Sequence, residues 1–229
     1  MFLIKESYNQ VFPYFCAQNT SKLVTKKIYL IRHGQTDFNK AGIVQGSGVD
    51  SHLNDVGRSQ AVAFFDAYNS IMLDKVYTSS LIRTQETVDS FIKKGIPHES
   101  LGGLNEINWG NKEGQKMSIQ DDKRYFEMLE RWREGETNLR IECGESPDDV
   151  LSRITPTWDY IMNKTGEENI LICAHGRVMR VLLCHILNYP LHSMDLFEHR
   201  NLSLYELNYS GSMFWVEKFN NVDHLRSFS

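Results

Sequence analysis

The chain has 229 residues, of which 41% are hydrophobic and 24% charged, and its formal net charge is −4. This length and composition are ordinary for one α/β domain and do not demand a second one. The acidic balance argues against a protein that binds duplex nucleic acid, whose surface is broadly basic. It leaves room for a small anionic ligand, because a few arginines can make one pocket locally positive.

The cysteines and the apolar segments indicate in which cellular compartment the protein works. The cysteines form no C-x-x-C pair, which excludes a zinc ribbon and favours free thiols in a reducing compartment. They are Cys16, Cys143, Cys173 and Cys184. The opening Met1-Phe2-Leu3-Ile4 is too short for a signal peptide, and no apolar run approaches membrane-spanning length. We therefore expect a cytoplasmic protein that does not contact membranes.

Strand and helix patterns alternate along most of the chain. Residues 1–26 read as an N-terminal extension without an assignable role, and residues 27–229 as a single domain. The predicted strands are 27–32, 74–78, 170–174, 202–207 and 213–219. A glycine-rich loop at 41–50 precedes a helix that begins at Asn54 or Asp55, and further predicted helices cover 80–94, 121–134, 146–163 and 178–188. This alternation predicts a three-layer α/β sandwich with a mostly parallel central sheet flanked by helices.

Two of the predicted strands end in a histidine followed by a glycine. The first ends in Arg32-His33-Gly34, and the third leads into His175-Gly176. Reactive groups of α/β proteins lie at the carboxyl ends of strands, and neighbouring parallel strands are only ~5 Å apart. The two imidazoles can therefore face one ligand. Arg32 offers a fork of donors suited to a phosphate, and the helix start at Gly176 offers backbone N–H groups.

Five segments together resemble a known family. They are LIRHGQTDFN at 30–39, YTSSLIRTQET at 77–87, NEINWGNKEG at 105–114, GES at 144–146 and ICAHGRVMR at 172–180. In this order they resemble the histidine phosphatase superfamily, the phosphoglycerate-mutase-like enzymes, and its phosphatases more than its mutases. The resemblance covers residues 27 to 207. It implies a hydrolase that uses a phosphohistidine, needs no metal or organic cofactor, and acts on a small phosphorylated metabolite.

Three residues are the candidate catalytic groups. His33 is the expected nucleophile, since a neutral imidazole can attack phosphorus. His175 is expected to donate a hydrogen bond to a phosphoryl oxygen and to stabilise charge in the transition state. Glu106 is the expected general acid and base, because a desolvated carboxyl beside an anionic phosphate favours its protonated form. Glu113 is the competing choice for that role.

Another set of residues is expected to bind the substrate. The resemblance places Arg83 in the pocket, after the turn that follows the second strand, and His199 and Asn201 near it. Ser79 is expected to line the phosphate or substrate pocket. The predicted substrate-binding residues are Arg32, Asn39, Gln45, Arg83 and Gly176. No metal ligands are predicted, and the sequence gives no oligomeric state.

Several alternatives can be weighed on spacing. A cysteine-dependent phosphatase needs an arginine six positions after the thiol, but Met179 and Asp149 stand there for the two possible cysteines, Cys173 and Cys143. No H-E-x-x-H or phosphate-loop motif for a metal hydrolase or nucleotide binder is present. A mutase of the family remains possible, although its longer insert is absent from the 69 positions between Glu106 and His175 (175 − 106). A silent phosphate-binding scaffold is less favoured, because the expected catalytic residues are all present.

Overall fold

The structure is a computed structural model that describes residues 25–116 and 123–228. The predicted N-terminal extension therefore lies almost entirely outside the described residues. Its last residue, Lys26, is buried and already belongs to the first strand, which begins one residue earlier than predicted.

A six-stranded sheet occupies the centre of the fold. Its strands are β1 (Lys26–Arg32), β2 (Lys75–Thr78), β3 (His98–Ser100), β4 (Asn169–Ala174), β5 (Leu204–Tyr209) and β6 (Phe214–Asn221). The spatial order is β3-β2-β4-β1-β5-β6, in which the first four strands are parallel and β5 and β6 pair antiparallel. The prediction of a mostly parallel sheet is confirmed.

Helices cover both faces of this sheet. They are α1 (Asp37–Ala41), α2 (Asp55–Tyr68), α3 (Ile82–Lys93), α4 (Lys123–Arg133), α5 (Pro147–Met162) and α6 (Gly176–Ile186). Short 3-10 turns occur at Gly102–Leu104, Gly110–Lys112, Leu191–Leu196 and Asp223–Phe228. None of the helices in these described ranges combines the length and apolar character that crossing a bilayer requires.

Side chains alternate between two cores along the central strands, as the period of a β-strand dictates. Ile28 and Leu30 of β1 face a core shared with α5 and α6, whereas Tyr29 and Ile31 face a core shared with α2 and α3. Strand β4 alternates in the same way. Such strands, buried on both faces, read as continuous apolar runs, and for that reason their positions could be predicted.

The register of β1 and β4 sets the level of the two histidines. Arg32 pairs with Ala174, and the His33 amide donates to the Ala174 carbonyl at 3.1 Å. Both strands run in the same direction, so His33 and His175 leave the sheet side by side at its carboxyl edge. The expected juxtaposition of the two strand ends is confirmed.

Several predicted boundaries are wrong. Strand β3 was not predicted, and neither was the short helix α1, which ends at Ala41, where the predicted loop begins. Strand β5 begins at Leu204 instead of 202, because Leu202 adopts a left-handed φ of 55° that interrupts an extended strand. Helix α6 begins at Gly176, two residues before the predicted start.

Candidate active site

His33 is held in one orientation at the end of β1. It is 2% exposed, and its Nδ1 lies 2.7 Å from the Gly34 carbonyl oxygen. A carbonyl oxygen can only accept, so Nδ1 carries the proton and Nε2 keeps its lone pair. Burial, followed by the nearby charges of Arg83 and Arg32, holds the pKa of His33 well below its ordinary value. At neutral pH the ring is therefore an uncharged imidazole with a free Nε2.

His175 faces His33 from the end of β4, with ring centroids 5.1 Å apart. Its Nδ1 accepts a hydrogen bond from Arg83 Nε at 3.2 Å, which leaves the ring proton on Nε2. That Nε2 lies 2.7 Å from Ser79 Oγ. Burial, together with the charge of Arg83, also holds the pKa of His175 well below its ordinary value.

Ser79 fixes the ring of His175 through a short hydroxyl network. Its Oγ lies 3.0 Å from Thr84 Oγ1 and accepts from the Leu81 amide at 3.1 Å. Thr84 in turn donates to the Leu81 carbonyl at 2.8 Å. Ser79 lies on the turn from β2 into α3 and Thr84 on the first turn of α3, so these hydroxyls join the turn to the helix.

Arg83, fully buried on the first turn of α3, connects His175 to the loop at 46–49. Its Nη1 donates to the Val49 carbonyl at 2.7 Å and its Nη2 to the Gly46 carbonyl at 3.1 Å. A guanidinium has five N–H groups, and these contacts with His175, Val49 and Gly46 use three of them. Two N–H groups remain for a ligand, so Arg83 can organise the pocket and still contact a phosphate.

Arg32 is held from the opposite side. Its Nη1 lies 3.3 Å from Nδ1 of His199, and its buried Nε finds no acceptor among the described residues. Burial lowers the pKa of Arg32 to about 10, and the nearby Glu106 carboxylate opposes that shift. Arg32 is therefore still a cation at neutral pH, and its buried Nε–H can donate to a ligand.

Glu106 lies at the amino end of α6. The residue is 8% exposed, and its carboxylate accepts from the Arg177 amide at 3.1 Å and the Val178 amide at 3.0 Å. These N–H groups have no partner within the helix, and the helix dipole also favours a negative charge there. The same contacts explain why α6 begins at Gly176, directly after His175, and they hold the carboxylate at the amides that follow His175 along the chain.

Glu113, the competing acid, is engaged elsewhere in the pocket wall. Its Oε1 accepts from the Trp109 amide at 2.9 Å. Its carboxylate also lies so close to Gly46 and Gly48 that a side chain at either glycine would collide with it. Burial raises the pKa of Glu113. These contacts indicate that Glu113 supports the loop at 46–49, which Arg83 also contacts.

Asn39 and Gln45 use their polar atoms inside the protein. Asn39 Oδ1 accepts from the Thr36 amide at 3.2 Å, which completes the cap of α1. Gln45 Nε2 donates to Thr36 Oγ1 at 2.8 Å, and its Oε1 accepts from Ser51 at 2.6 Å. Their predicted contacts with substrate stay predictions, since Oδ1 of Asn39 and both polar atoms of Gln45 already accept or donate within the loop after β1.

The structure thus brings most of the predicted residues to one edge of the sheet. His33 faces His175, and Arg83 contacts His175. Arg32 and Gly176 both adjoin His199, and Glu106 caps the helix that follows His175. Asn39 and Gln45 instead contact Thr36 in the segment after β1. Thr87 was not predicted: its Oγ1 accepts from the Gly34 amide at 3.0 Å and donates to the Arg83 carbonyl at 2.6 Å. Its spacing of four from Arg83 on α3 was the available signal.

Other reactive groups fit the alternatives poorly. Burial raises the pKa of Cys173 strongly and that of Cys184 to about 11, so neither thiol has the character of a nucleophile. Within residues 25–116 and 123–228 no three histidine, cysteine, aspartate or glutamate side chains are grouped so as to hold a metal ion.

An α/β sandwich with two paired histidines and two arginines at the carboxyl edge defines an enzyme built to handle phosphate groups. The family described as the histidine phosphatase superfamily (branch 1) matches residues 28–222, and the chain belongs to this family.

Curated relatives agree with this assignment. A probable phosphatase of Schizosaccharomyces pombe is 32% identical over 165 residues, which cover 70% of this chain and 73% of the relative. A broad-specificity phosphatase of Saccharomyces cerevisiae is 27% identical over 224 residues, covering 93% and 92%. The 6-phosphofructo-2-kinase/fructose-2,6-bisphosphatase of Gallus gallus is 36% identical over 166 residues, but the match spans 71% of this chain and only 33% of that protein. The protein is an enzyme of the phosphatase type.

Solved structures share the fold. A mycobacterial glucosyl-3-phosphoglycerate phosphatase in complex with VO3 superimposes with a TM-score of 0.77 at 24% identity, covering 86% of this chain and 100% of that one. A putative alpha-ribazole-5'-P phosphatase of Escherichia coli superimposes with a TM-score of 0.76 at 21% identity, covering 86% and 96%. At these identities the likeness shows the fold alone.

Proposed function

We propose that this phosphatase hydrolyses phosphomonoesters of small metabolites through a phosphohistidine at His33, without a metal ion. The observation that carries the proposal is the 2.7 Å contact between His33 Nδ1 and the Gly34 carbonyl. It leaves Nε2 unprotonated in a buried ring, which is the state that a nitrogen nucleophile needs.

In the first step, the Nε2 lone pair of His33 attacks phosphorus and the bond from phosphorus to the leaving oxygen breaks. The leaving oxygen takes the bonding electrons and receives a proton from Glu106, whose protonated form is favoured by the bound anionic phosphate against the effect of the helix dipole. Oε2 of Glu106 accepts only one of the amide contacts, from Arg177 at 3.1 Å, so this oxygen is the better placed to carry that proton. In the second step, Glu106 takes a proton from water, the water oxygen attacks phosphorus, and the bond to Nε2 breaks.

The groups around the histidines would bind the phosphoryl oxygens. Arg32 offers its Nε–H, which has no acceptor within residues 25–116 and 123–228. Arg83 offers the two N–H groups that its contacts with His175, Val49 and Gly46 do not use. His175 Nε2–H, which meets Ser79 Oγ, would be shared with a phosphoryl oxygen, and the Gly176 amide lies at the start of the same helix. Fixed donors of this kind stabilise charge without reorganising.

The function can be tested by phosphate release from a panel of phosphorylated metabolites and one activated aryl phosphate, with EDTA present. We expect turnover to survive EDTA and His33→Ala to lower kcat by about a thousandfold or more, as loss of a nucleophile does. The control is His192→Ala, because His192 is an exposed histidine on the 3-10 turn Leu191–Leu196.

Three results would contradict the proposal. They are turnover in His33→Ala within a few-fold of wild type, loss of turnover in EDTA that added metal restores, and no acid-labile phosphate on quenched wild-type enzyme. Transfer of phosphate from the loaded histidine to a second metabolite, in preference to water, would identify a mutase instead.

Two expectations from the sequence complete the proposal: residues 27–229 form a single catalytic domain, and the protein works in the cytoplasm. The free state of Cys143, Cys173 and Cys184 supports a reducing compartment. A variant that lacks residues 1–24, and so retains Lys26 of β1, should keep full activity. A fluorescent fusion reports the compartment.

A further inference from the structure

The connection into β5, residues 199–203, holds the Arg32–His33 pair from the side. Asn201 Nδ2 donates to the His33 carbonyl at 3.0 Å, and the Leu202 amide donates to the Arg32 carbonyl at 3.0 Å. His199 contacts the side chain of Arg32, with its Nδ1 3.3 Å from Nη1. Backbone and side chain of the pair are thus fixed by one short segment.

The ring of His199 also packs against the start of α6. A Cβ built on Gly176 would lie 2.6 Å from Cε1 and 2.7 Å from Nε2 of His199, distances that no packed side chain tolerates. Only a glycine at 176 lets the ring lie there. His199 therefore fills the space between the Arg32 guanidinium and the backbone of Gly176.

His199 is an uncharged acceptor in this position. Burial, with the charges of Arg32, Arg180 and Arg177, lowers the pKa of His199 to about 2. A guanidinium can only donate, so Nδ1 of the neutral ring accepts from Arg32 and the ring proton lies on Nε2. A protonated His199 would instead repel Arg32.

Fixing one nitrogen of Arg32 fixes the others, because the guanidinium is a rigid plane. With Nη1 held by His199, the buried Nε–H is left without an acceptor among the described residues. A buried donor without a partner is costly unless a ligand meets it. The geometry therefore presents this N–H as a preset donor.

We propose that His199 is a positioning residue for phosphate binding: it holds Arg32 so that Nε–H meets a phosphoryl oxygen of the substrate. This inference rests on the proposed function, since it assigns Arg32 to the phosphate of that reaction. His199 itself acts through Arg32 and takes no part in bond making.

The test is a double-mutant cycle on oxyanion binding. Vanadate affinity is measured by calorimetry on wild type, His199→Ala, Arg32→Ala and the double variant, and KM and kcat are measured alongside. His199→Ala should weaken vanadate binding by about ten- to a hundredfold, the worth of one hydrogen bond to a charged group. In the Arg32→Ala background the same change should cost less than about threefold, because the partner is already gone. His199→Gln, whose amide oxygen can accept from Arg32, should recover part of the affinity.

A matched control separates positioning from loosening of the connection. His224 is also half-buried and contacts the same connection, with Nε2 2.9 Å from the Leu202 carbonyl, but it packs against Phe64 and Tyr68 of α2. His224→Ala should lower the melting temperature and leave vanadate affinity unchanged. The inference is overturned if His199→Ala weakens vanadate no more than His224→Ala does, or if the losses of Arg32→Ala and His199→Ala simply add.

This readout does not depend on turnover. Unchanged vanadate binding in His199→Ala, with turnover abolished in His33→Ala, would remove the positioning role and leave the phosphohistidine mechanism intact. If the vanadate losses of His199→Ala and Arg32→Ala are coupled but His33→Ala still turns over, the positioning role of His199 stands and the phosphohistidine mechanism is contradicted.

Discussion

At the residue scale, the two histidines of the site differ in how their ring nitrogens are engaged. His33 has one nitrogen tied to the Gly34 carbonyl, whereas His175 has both nitrogens tied, one to Arg83 and one to Ser79. In the proposed mechanism, the first ring therefore attacks phosphorus, and the second orients the phosphoryl group and donates a hydrogen bond to it. This division of roles comes from the partners of each ring and not from the histidines themselves, which follow their strands in the same way.

Glu106 and Glu113 can be separated by their dependence on the leaving group. Glu106→Gln should slow an alkyl phosphate by about a hundredfold or more, because a poor leaving group needs a proton, and should slow an activated aryl phosphate far less. Glu113→Gln is the control, since its carboxylate braces the loop at 46–48, and it should affect both substrates alike. Steady-state kinetics on the two substrates decide this, and equal slowing in Glu106→Gln would assign the proton to another group.

The sequence could place the candidate catalytic residues in the fold but not the contacts that hold them. His33, His175 and Arg32 follow apolar strand runs and could be placed at the edge of a sheet by pattern alone. The contact of Arg83 with His175 and that of Arg32 with His199 join residues 92 and 167 positions apart. No local pattern encodes such pairs, so the sequence could name the arginines but not what fixes them.

At the element scale, the start of α6 and the short strand β3 differ from what the sequence pattern indicates. Helix α6 begins two residues earlier than its apolar pattern indicates, because the Glu106 carboxylate caps it from a distant loop. Strand β3 was missed since its three residues have no apolar period and pair only at the edge of the sheet. A long buried strand can be predicted from a sequence, whereas a short edge strand and a helix cap supplied by a distant residue cannot.

Helix α2 presses directly on the loop that carries His33. A Cβ on Gly34 would lie 2.8 Å from the Gly57 carbonyl oxygen, and a Cβ on Gly57 would collide with the backbone of Gln35. Although alanine favours a helix over glycine, we expect Gly57→Ala to destabilise the protein by about 1–3 kcal/mol through overpacking. It should also lower kcat/KM by displacing the loop.

The control for this element is Ser59→Ala, an exposed change on the same helix. Urea denaturation and kinetics on both variants provide the comparison. A Gly57→Ala protein as stable and as active as Ser59→Ala would show that the contact between α2 and the loop can relax.

At the scale of the whole molecule, the buried neutral histidines make stability depend on pH. The pKa values of His33 and His175 lie well below the ordinary value of 6.5 in the native state, chiefly through burial. Below pH 6.5 the unfolded chain takes up protons that the native protein refuses, so the free energy of unfolding falls as the pH falls. Each of these histidines contributes up to about 1.4 kcal/mol per pH unit in this range.

Urea unfolding at pH 7, 6 and 5 measures this slope. His33→Asn and His175→Asn each remove one titrating group, so each variant should show a shallower decline than wild type. A decline that is equally steep in wild type and in both variants would mean that other groups control acid sensitivity.

The strand order β3-β2-β4-β1 determines when the active site can form as the chain folds during synthesis. His33 and His175 are 142 positions apart (175 − 33), and β4 must insert between β2 and β1 before the two rings can meet. Contacts across such a separation form late and slowly, because the loop entropy must be overcome before the pairing repays it. A nascent chain that has emerged only as far as α5 already contains His33, the proposed nucleophile, but has no pocket around it. Activity therefore appears only when the centre of the sheet closes, and its onset reports the completion of the fold.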